Sequence, residues 1–106
     1  MDADEFKRQL EALNVEYRNG LPAKLAEIDA LWAKSTGADT ALLRALHSMA
    51  GSARTFGVKG VSEAAAAAEH YLAPFCENGT EPKAAQRAEF ERLLEELKRV
   101  AAGGMS

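Results

Sequence analysis

His47 and Gly51 are the two residues whose types and spacing point most directly to chemistry. They lie one helical turn apart in the segment LHSMAGSARTFG, residues 46–57. Neutral imidazole is a good nucleophile near pH 7, and its Nε2 atom can attack a phosphoryl group. A glycine within a helix costs about 1 kcal/mol relative to alanine, so stability does not explain Gly51. We interpret Gly51 as clearance for the backbone of a partner that brings a phosphoryl group to His47.

The segment lies on a predicted helix whose apolar stripe recurs every three or four residues. The stripe consists of Leu42, Leu46, Met49, Ala53 and Phe56. At about 100° per residue, His47 lies roughly 140° from the centre of the stripe and Gly51 about 180° from it, so both are predicted to face solvent. Arg44 and Arg54 flank His47, and their guanidinium groups could balance the charge of a phosphoryl group. Ser48 is predicted on the same exposed side.

The second ring nitrogen of His47, Nδ1, needs an acceptor that fixes the tautomer and orients the ring. Glu69, on the flank of the following helix, is the best candidate. Plainer interpretations stay open: a surface histidine, the two flanking arginines and a helix-face carboxylate are often only solvated polar groups. His70 is predicted to be exposed, and the two histidines and Cys76 lack the clustered spacing of a structural metal site. We therefore predict neither a metal nor a cofactor.

The composition predicts a single domain spanning residues 1–106. The chain is 47% hydrophobic and 27% charged, and its net charge of −3 argues against binding to nucleic acid. The only cysteine, Cys76, cannot form an internal disulfide, which favours a cytoplasmic setting. No apolar run approaches the roughly 20 residues of a transmembrane helix, and no signal peptide is visible, so no membrane partner is expected.

Four amphipathic blocks are separated by turn signals, and strand signals are missing from the sequence. The stripe of the first block is Phe6, Leu10, Leu13, Tyr17, Leu21, Leu25, Ile28 and Leu31. Because Pro22 cannot donate a backbone hydrogen bond, we expect a kinked first helix or a short extra N-terminal helix. The segment Gly37-Ala38-Asp39 is predicted to end this block, and Asp39 or Thr40 to cap the next.

The remaining blocks are predicted at about 40–56, at about 61–75, and from the turn at 78–82 to Gly103-Gly104. The inward positions of the last two are Val61, Ala64, Ala65, Ala68, Leu72 and Phe75, then Phe90, Leu93, Leu94, Leu97 and Val100. Short loops between amphipathic helices favour an all-α, antiparallel up-down four-helix bundle. No large apolar stripe is expected to stay exposed, so we expect a monomer.

The segment 47–57 resembles the motif of histidine-containing phosphotransfer (HPt) domains. In that motif a histidine is followed by any residue, a large apolar residue, usually lysine, glycine, two small residues, two variable positions, an apolar residue and glycine. Met49 occupies the apolar position, Ser52 and Ala53 form the small pair, and the last two positions also match. The His-Ser opening and the Thr-Phe-Gly ending are similar to the phosphotransfer domain of chemotaxis histidine kinases.

The resemblance implies a phosphorelay carrier. In this hypothesis His47 accepts a phosphoryl group from an aspartate of a response-regulator receiver domain, or from a histidine kinase, and passes it on. The resemblance also implies a helical bundle over essentially the whole chain, and a glutamate that hydrogen-bonds the histidine at the position of Glu69. Any Mg²⁺ would belong to the receiver. The docking surface is expected to comprise His47, Gly51 and Arg54, with Leu43 at its margin.

One position departs from the family pattern, because Ala50 stands where the family usually has a lysine. The resemblance implies that this lysine helps to balance the phosphoryl charge, a task that would pass to Arg54, Arg44 or the partner. The departure keeps a second hypothesis open, in which the bundle docks onto a receiver or kinase without being phosphorylated. A third hypothesis, a small helical hydrolase with His47 as base, lacks a suitably placed nucleophile.

Overall fold

The computed structural model describes residues 2–35 and 39–103, which form four α-helices. These are α1 (Ala3–Lys34), α2 (Thr40–Thr55), α3 (Lys59–Asn78) and α4 (Ala84–Ala102). No strand occurs in these two ranges, so the predicted all-α four-helix bundle is confirmed. The predicted turn residues Gly37 and Ala38, and the terminal Gly104, lie outside the described residues.

Local side chains and backbone angles explain where α2 and α3 begin and end. Asp39 caps α2, since its Oδ1 accepts the N–H of Ala41 at 2.9 Å. Gly57 follows α2 with a φ of +76°, and Gly79 ends α3 with a φ of +63°. Glycine has no Cβ and adopts this left-handed backbone without strain. The predicted bounds of α2 hold to one residue, whereas α3 begins earlier than predicted and continues through Pro74 to Asn78.

The core is formed by the inward stripes of all four helices. Its members in α2, α3 and α4 include Leu42, Leu46, Met49, Ala53, Val61, Ala65, Ala68, Leu72, Phe90, Leu94 and Leu97, all of which were predicted to face inward. Other predicted inward residues of these three helices are only half-buried, namely Phe56, Ala64, Phe75, Leu93 and Val100. Of these, Phe75 packs on Tyr71 with ring centroids 6.0 Å apart. Periodicity also overlooked Trp32, which is buried against Phe90 with ring centroids 4.5 Å apart.

The first helix runs without interruption through Pro22, so a separate short N-terminal helix does not form. A proline inside a helix removes one backbone hydrogen bond and costs about 3 kcal/mol. Leu21 and Ile28, on either side of it along the chain, are both buried in the core. Their packing holds the helix together across the missing bond.

The beginning of α1 contradicts the predicted core. Phe6, Leu10 and Leu13 were expected to be buried, but 54%, 48% and 44% of their surfaces are exposed. The cause is length, because α1 has 32 residues and α3 has 20, about 48 Å against about 30 Å at ~1.5 Å per residue. The first four turns of α1, residues 3–16, therefore begin beside the turn after α2, where Asn14 contacts Phe56, and project past the other helices toward residue 3; we call them the stalk.

A matched pair of substitutions separates the core from the stalk. Leu46→Ala should lower the free energy of unfolding by about 2–5 kcal/mol, because it leaves a cavity in the packed centre. Leu10→Ala removes the same atoms from a position that is exposed in the monomer, and there it should change the free energy of unfolding by no more than about 0.5 kcal/mol. Urea denaturation followed by circular dichroism measures both. Equal losses would contradict this division of the chain.

None of the helices in the described parts of the chain combines the length and the apolar character needed to cross a membrane.

Candidate functional site

The site is centred on His47, in the middle of α2. Its neighbours Leu46 and Met49 are buried in the core, so the helix cannot turn without exposing them. The His47 side chain consequently points outward, with 77% of its surface exposed. This is the orientation that the helical phase predicts.

The ring of His47 is held by a carboxylate on the next helix. Its Nδ1 lies 2.7 Å from Oε2 of Glu69, whose own side chain is only 19% exposed. An ionised carboxylate can only accept a hydrogen bond, so Nδ1 carries the hydrogen in this contact. In the neutral ring, Nε2 then holds the free lone pair, and it lies on the solvent side. The arrangement is that of an oriented nucleophile.

Close packing of α3 against α2 brings Glu69 to the histidine. Ala65 and Ala68, both fully buried, let the two helices approach closely. The Ser62 hydroxyl donates a hydrogen bond of 2.7 Å to the carbonyl oxygen of Ala50. Because Ser62 lies opposite Ala50 while Glu69 lies opposite His47, the two helices run antiparallel, and this hydrogen bond fixes their register.

Gly51 lies on the exposed face one turn after His47. Neither the backbone conformation nor the packing at this position requires a glycine. A Cβ built at this position would meet nothing within 4 Å, and the backbone is not left-handed. The nearby Thr55 hydroxyl donates to the carbonyl oxygen of Gly51 at 3.1 Å, so it turns onto its own helix. The surface beside the imidazole is therefore open.

Two positively charged side chains of α2 flank His47 along the helix, in addition to the Glu69 carboxylate at its Nδ1. Arg44 and Arg54 are both exposed on α2, and neither forms an ion pair with any residue that the structure describes. Ala50 places only a methyl group at the position where a lysine was expected, and it is 6% exposed. The two guanidinium groups are thus the cations that α2 itself offers to an anion at the site.

Two further residues of the predicted site lie at its edges. Ser48 is exposed beside His47 and borders a groove between α1 and α2, which it shares with Lys24 and Ser52. Leu43 is half-buried at the margin of the core.

The contacts between α1 and the helix that carries His47 were not predicted from the sequence. Tyr17 was assigned only to the apolar stripe, yet its hydroxyl lies 2.8 Å from Ser52 Oγ on α2. Asn14 Nδ2 donates to the carbonyl oxygen of Phe56 at 2.7 Å, and the rings of Tyr17 and Phe56 stack at 5.3 Å. Spacing alone carries no signal for hydrogen bonds between residues more than 30 positions apart.

A helical bundle with an exposed histidine that is oriented by a carboxylate of the next helix has the form of a histidine phosphocarrier. The model of the Hpt domain matches residues 4–103, nearly the whole chain. The chain therefore belongs to the Hpt domain family. Hpt domains are phosphotransfer modules of two-component signalling; they carry phosphoryl groups rather than catalyse, and they interact with receiver domains and kinases. No curated protein and no solved structure matches this chain significantly.

Removing the Glu69 carboxylate tests whether it orients the histidine. We expect Glu69→Ala to lower the rate of phosphoryl acceptance about tenfold, since a lost hydrogen bond of about 1.4 kcal/mol corresponds to that factor. Glu63→Ala is the matched control, because Glu63 is exposed on the same helix and reaches only Lys59, at 3.9 Å. The readout is the initial rate of labelling from a phosphorylated partner. Equal rates for the two variants would show that Glu69 does not contribute.

Proposed function

We propose that this chain is a phosphorelay carrier, in which Nε2 of His47 accepts a phosphoryl group from a receiver aspartate or a histidine kinase and transfers it onward. The observation that carries the proposal is the geometry of His47, whose Nδ1 is bound to Glu69 while the rest of the ring is exposed. A buried histidine could not meet the active site of a second protein. A free ring would have to find the reactive orientation by chance.

The bonds and charges of the transfer balance with groups of the two proteins alone. The Nε2 lone pair attacks the phosphorus of an aspartyl phosphate, and an N–P bond forms as the P–O bond to the aspartate breaks. The bonding electrons leave with the aspartate, which becomes a carboxylate. The ring retains its hydrogen on Nδ1 and gains positive charge, which the carboxylate of Glu69 stabilises at 2.7 Å. Transfer to the next aspartate is the reverse of these events.

Gly51 and the arginines support the approach of the partner in this proposal. The open surface at Gly51 lets the partner bring its phosphorylated side chain to Nε2. Arg44 and Arg54 then offset part of the phosphoryl charge, in place of the lysine that Ala50 replaces. Rate acceleration and any Mg²⁺ belong to the partner's site.

Ala50 also favours a second candidate function, a docking module that binds a receiver or kinase without being phosphorylated. A methyl group that is 6% exposed supplies no charge to a phosphoryl group. In this case substitution of His47 would leave partner binding and signalling intact.

Labelling with radioactive phosphate separates the two functions. The purified chain is mixed with a phosphorylated receiver, with an autophosphorylated kinase, and with the small phosphodonor phosphoramidate. A carrier takes up label that is lost in acid and kept in alkali, as expected of a phosphorus–nitrogen bond. A chain that binds its partner but remains unlabelled from every donor is a docking module.

A further inference from the structure

The stalk exposes an apolar stripe that the phosphocarrier function does not use. Phe6, Leu10 and Leu13 are spaced four and three residues apart, so they share one face of the helix. Roughly half of each side chain is open to solvent. Val15 is also exposed, but at about 100° per residue it lies on the opposite face. In the described part of the chain, the large exposed apolar side chains are confined to these four positions.

The stripe continues the face by which α1 joins its own bundle. Further along the same face Tyr17, Leu21 and Ile28 are buried, where α1 packs on α2 and α4. The packing of the other helices on this face of α1 ends at Phe56, whose carbonyl oxygen accepts a hydrogen bond from Asn14. What the stalk lacks is therefore a helix with the same four-and-three spacing, which is the pattern of a helix–helix seam.

We propose that a second copy of this chain supplies that helix, so that two stalks pack antiparallel about a two-fold axis. The direction follows from the phase of the stripe. The stripe lies on the side of α1 that also packs against the other helices of its own chain. In a parallel dimer the helical bundles of the two copies would therefore overlap. An antiparallel partner places its bundle beyond the tip of the first stalk, and its own tip against the turn at Phe56.

The pairing is self-complementary, as a two-fold interface requires. In the register that sets Leu10 against Leu10 at the axis, Phe6 of one copy comes within one residue of Leu13 of the other. The stalk is also a well-formed helix from its first turn, because Asp2 Oδ1 accepts the N–H of Glu5 at 2.8 Å. A preformed helix loses little further backbone freedom when it associates.

The stripe is small, with three half-exposed side chains in each copy. An interface between two such stripes falls below the roughly 1,200–2,000 Å² of standard specific interfaces and belongs with weak, transient contacts. We therefore expect a reversible dimer in the micromolar range. The stalk carries four acidic and two basic residues, so salt should screen the repulsion between the copies and strengthen the dimer.

The helix on the other side of the bundle offers no competing apolar surface. The exposed side of α4 carries ion pairs three residues apart, Arg92–Glu89 and Arg99–Glu96. Exposed charge of this kind keeps that face solvated.

Sedimentation velocity over about 1 to about 200 µM, the range in which a micromolar dimer forms, tests the proposal. The wild type should pass from monomer to dimer mass as its concentration rises. Leu10→Lys should stay a monomer, whereas Val15→Lys, an equally exposed change on the opposite face, should dimerise like the wild type. Circular dichroism checks that each variant is folded. A wild type that is monomeric throughout, or a Val15→Lys variant that loses the dimer as fully as Leu10→Lys, would overturn the proposal.

Disulfide cross-linking tests the direction of the pairing. In a Cys76→Ala background, a mixture of Phe6→Cys and Leu13→Cys chains should form the mixed cross-link in preference to either homodimer. Preferential cross-linking of Phe6→Cys to itself would instead show parallel stalks and overturn the antiparallel model. None of these substitutions touches the site of His47, so labelling of His47 should be unchanged in all of them.

Discussion

Replacing His47 with glutamine should abolish phosphoryl acceptance, with labelling reduced at least about a hundredfold because the nucleophile itself is lost. The change should not disturb the fold. The side chain is 77% exposed and gives up only its hydrogen bond to Glu69. Glutamine keeps a polar side chain at the position but has no nucleophilic nitrogen. The loss should therefore appear with every donor, protein or phosphoramidate.

The matched control is His70→Gln, which removes the only other histidine of the chain. His70 is exposed on α3, so its replacement should also leave the fold intact. We expect it to accept label at the wild-type rate. Label retained by His47→Gln and lost by His70→Gln would move the site to the third helix. Label retained by both variants would show that His47 is not the sole acceptor, and the double variant would then tell whether any histidine is labelled.

Enlarging Gly51 should separate stability from transfer. Gly51→Leu should raise the free energy of unfolding by up to about 1 kcal/mol, because the backbone is helical and glycine is the poorer helix former. Nothing within 4 Å opposes a Cβ at this position. Transfer from a protein partner should fall about a hundredfold, since the new side chain holds the partner away from Nε2. Labelling by the much smaller phosphoramidate should change little.

Two further substitutions serve as controls for Gly51→Leu. Gly51→Ala should give most of the gain in stability with a smaller loss of transfer. Gly20→Ala changes a second glycine that lies inside a helix with open space around its Cβ position, and it should stabilise the chain without slowing transfer. Urea denaturation and labelling rates measured on the same preparations give both quantities. If Gly51→Leu transfers at the wild-type rate from the protein partner, Gly51 is not the clearance that we propose.

Much of the fold could be predicted from local pattern. The seam from Leu42 to Ala53 indicated which face of α2 is buried, and thereby that His47 would be exposed. Helix caps and left-handed glycines are also local, and Asp39 and Gly57 lie where the sequence placed them. These features depend on residues within a few positions of one another.

The wrong predictions of burial have a common cause. The periodicity of apolar residues indicates which face of a helix is apolar, but not whether another helix packs against that face. Phe6 and Leu10 continue the stripe of α1 without a break, yet the shorter helices end at the base of the stalk, where Asn14 contacts Phe56. Trp32 lies just off the predicted stripe and is buried because Phe90 comes from α4 to meet it. The length of the neighbouring helices is a property of other segments, and the stripe itself cannot encode it.

The family, the four helices, and the position of an exposed histidine one turn before a glycine could all be predicted from the order of residues. The other features depend on how the helices pack. Glu69 approaches His47 to 2.7 Å because buried alanines of α3 let it pack closely on α2, and Ser62 sets the register. The apolar stripe of the stalk is exposed because the chain reverses direction at Phe56, between α2 and α3. Both outcomes depend on distances between segments far apart in the chain, and those distances exist only once the helices have packed.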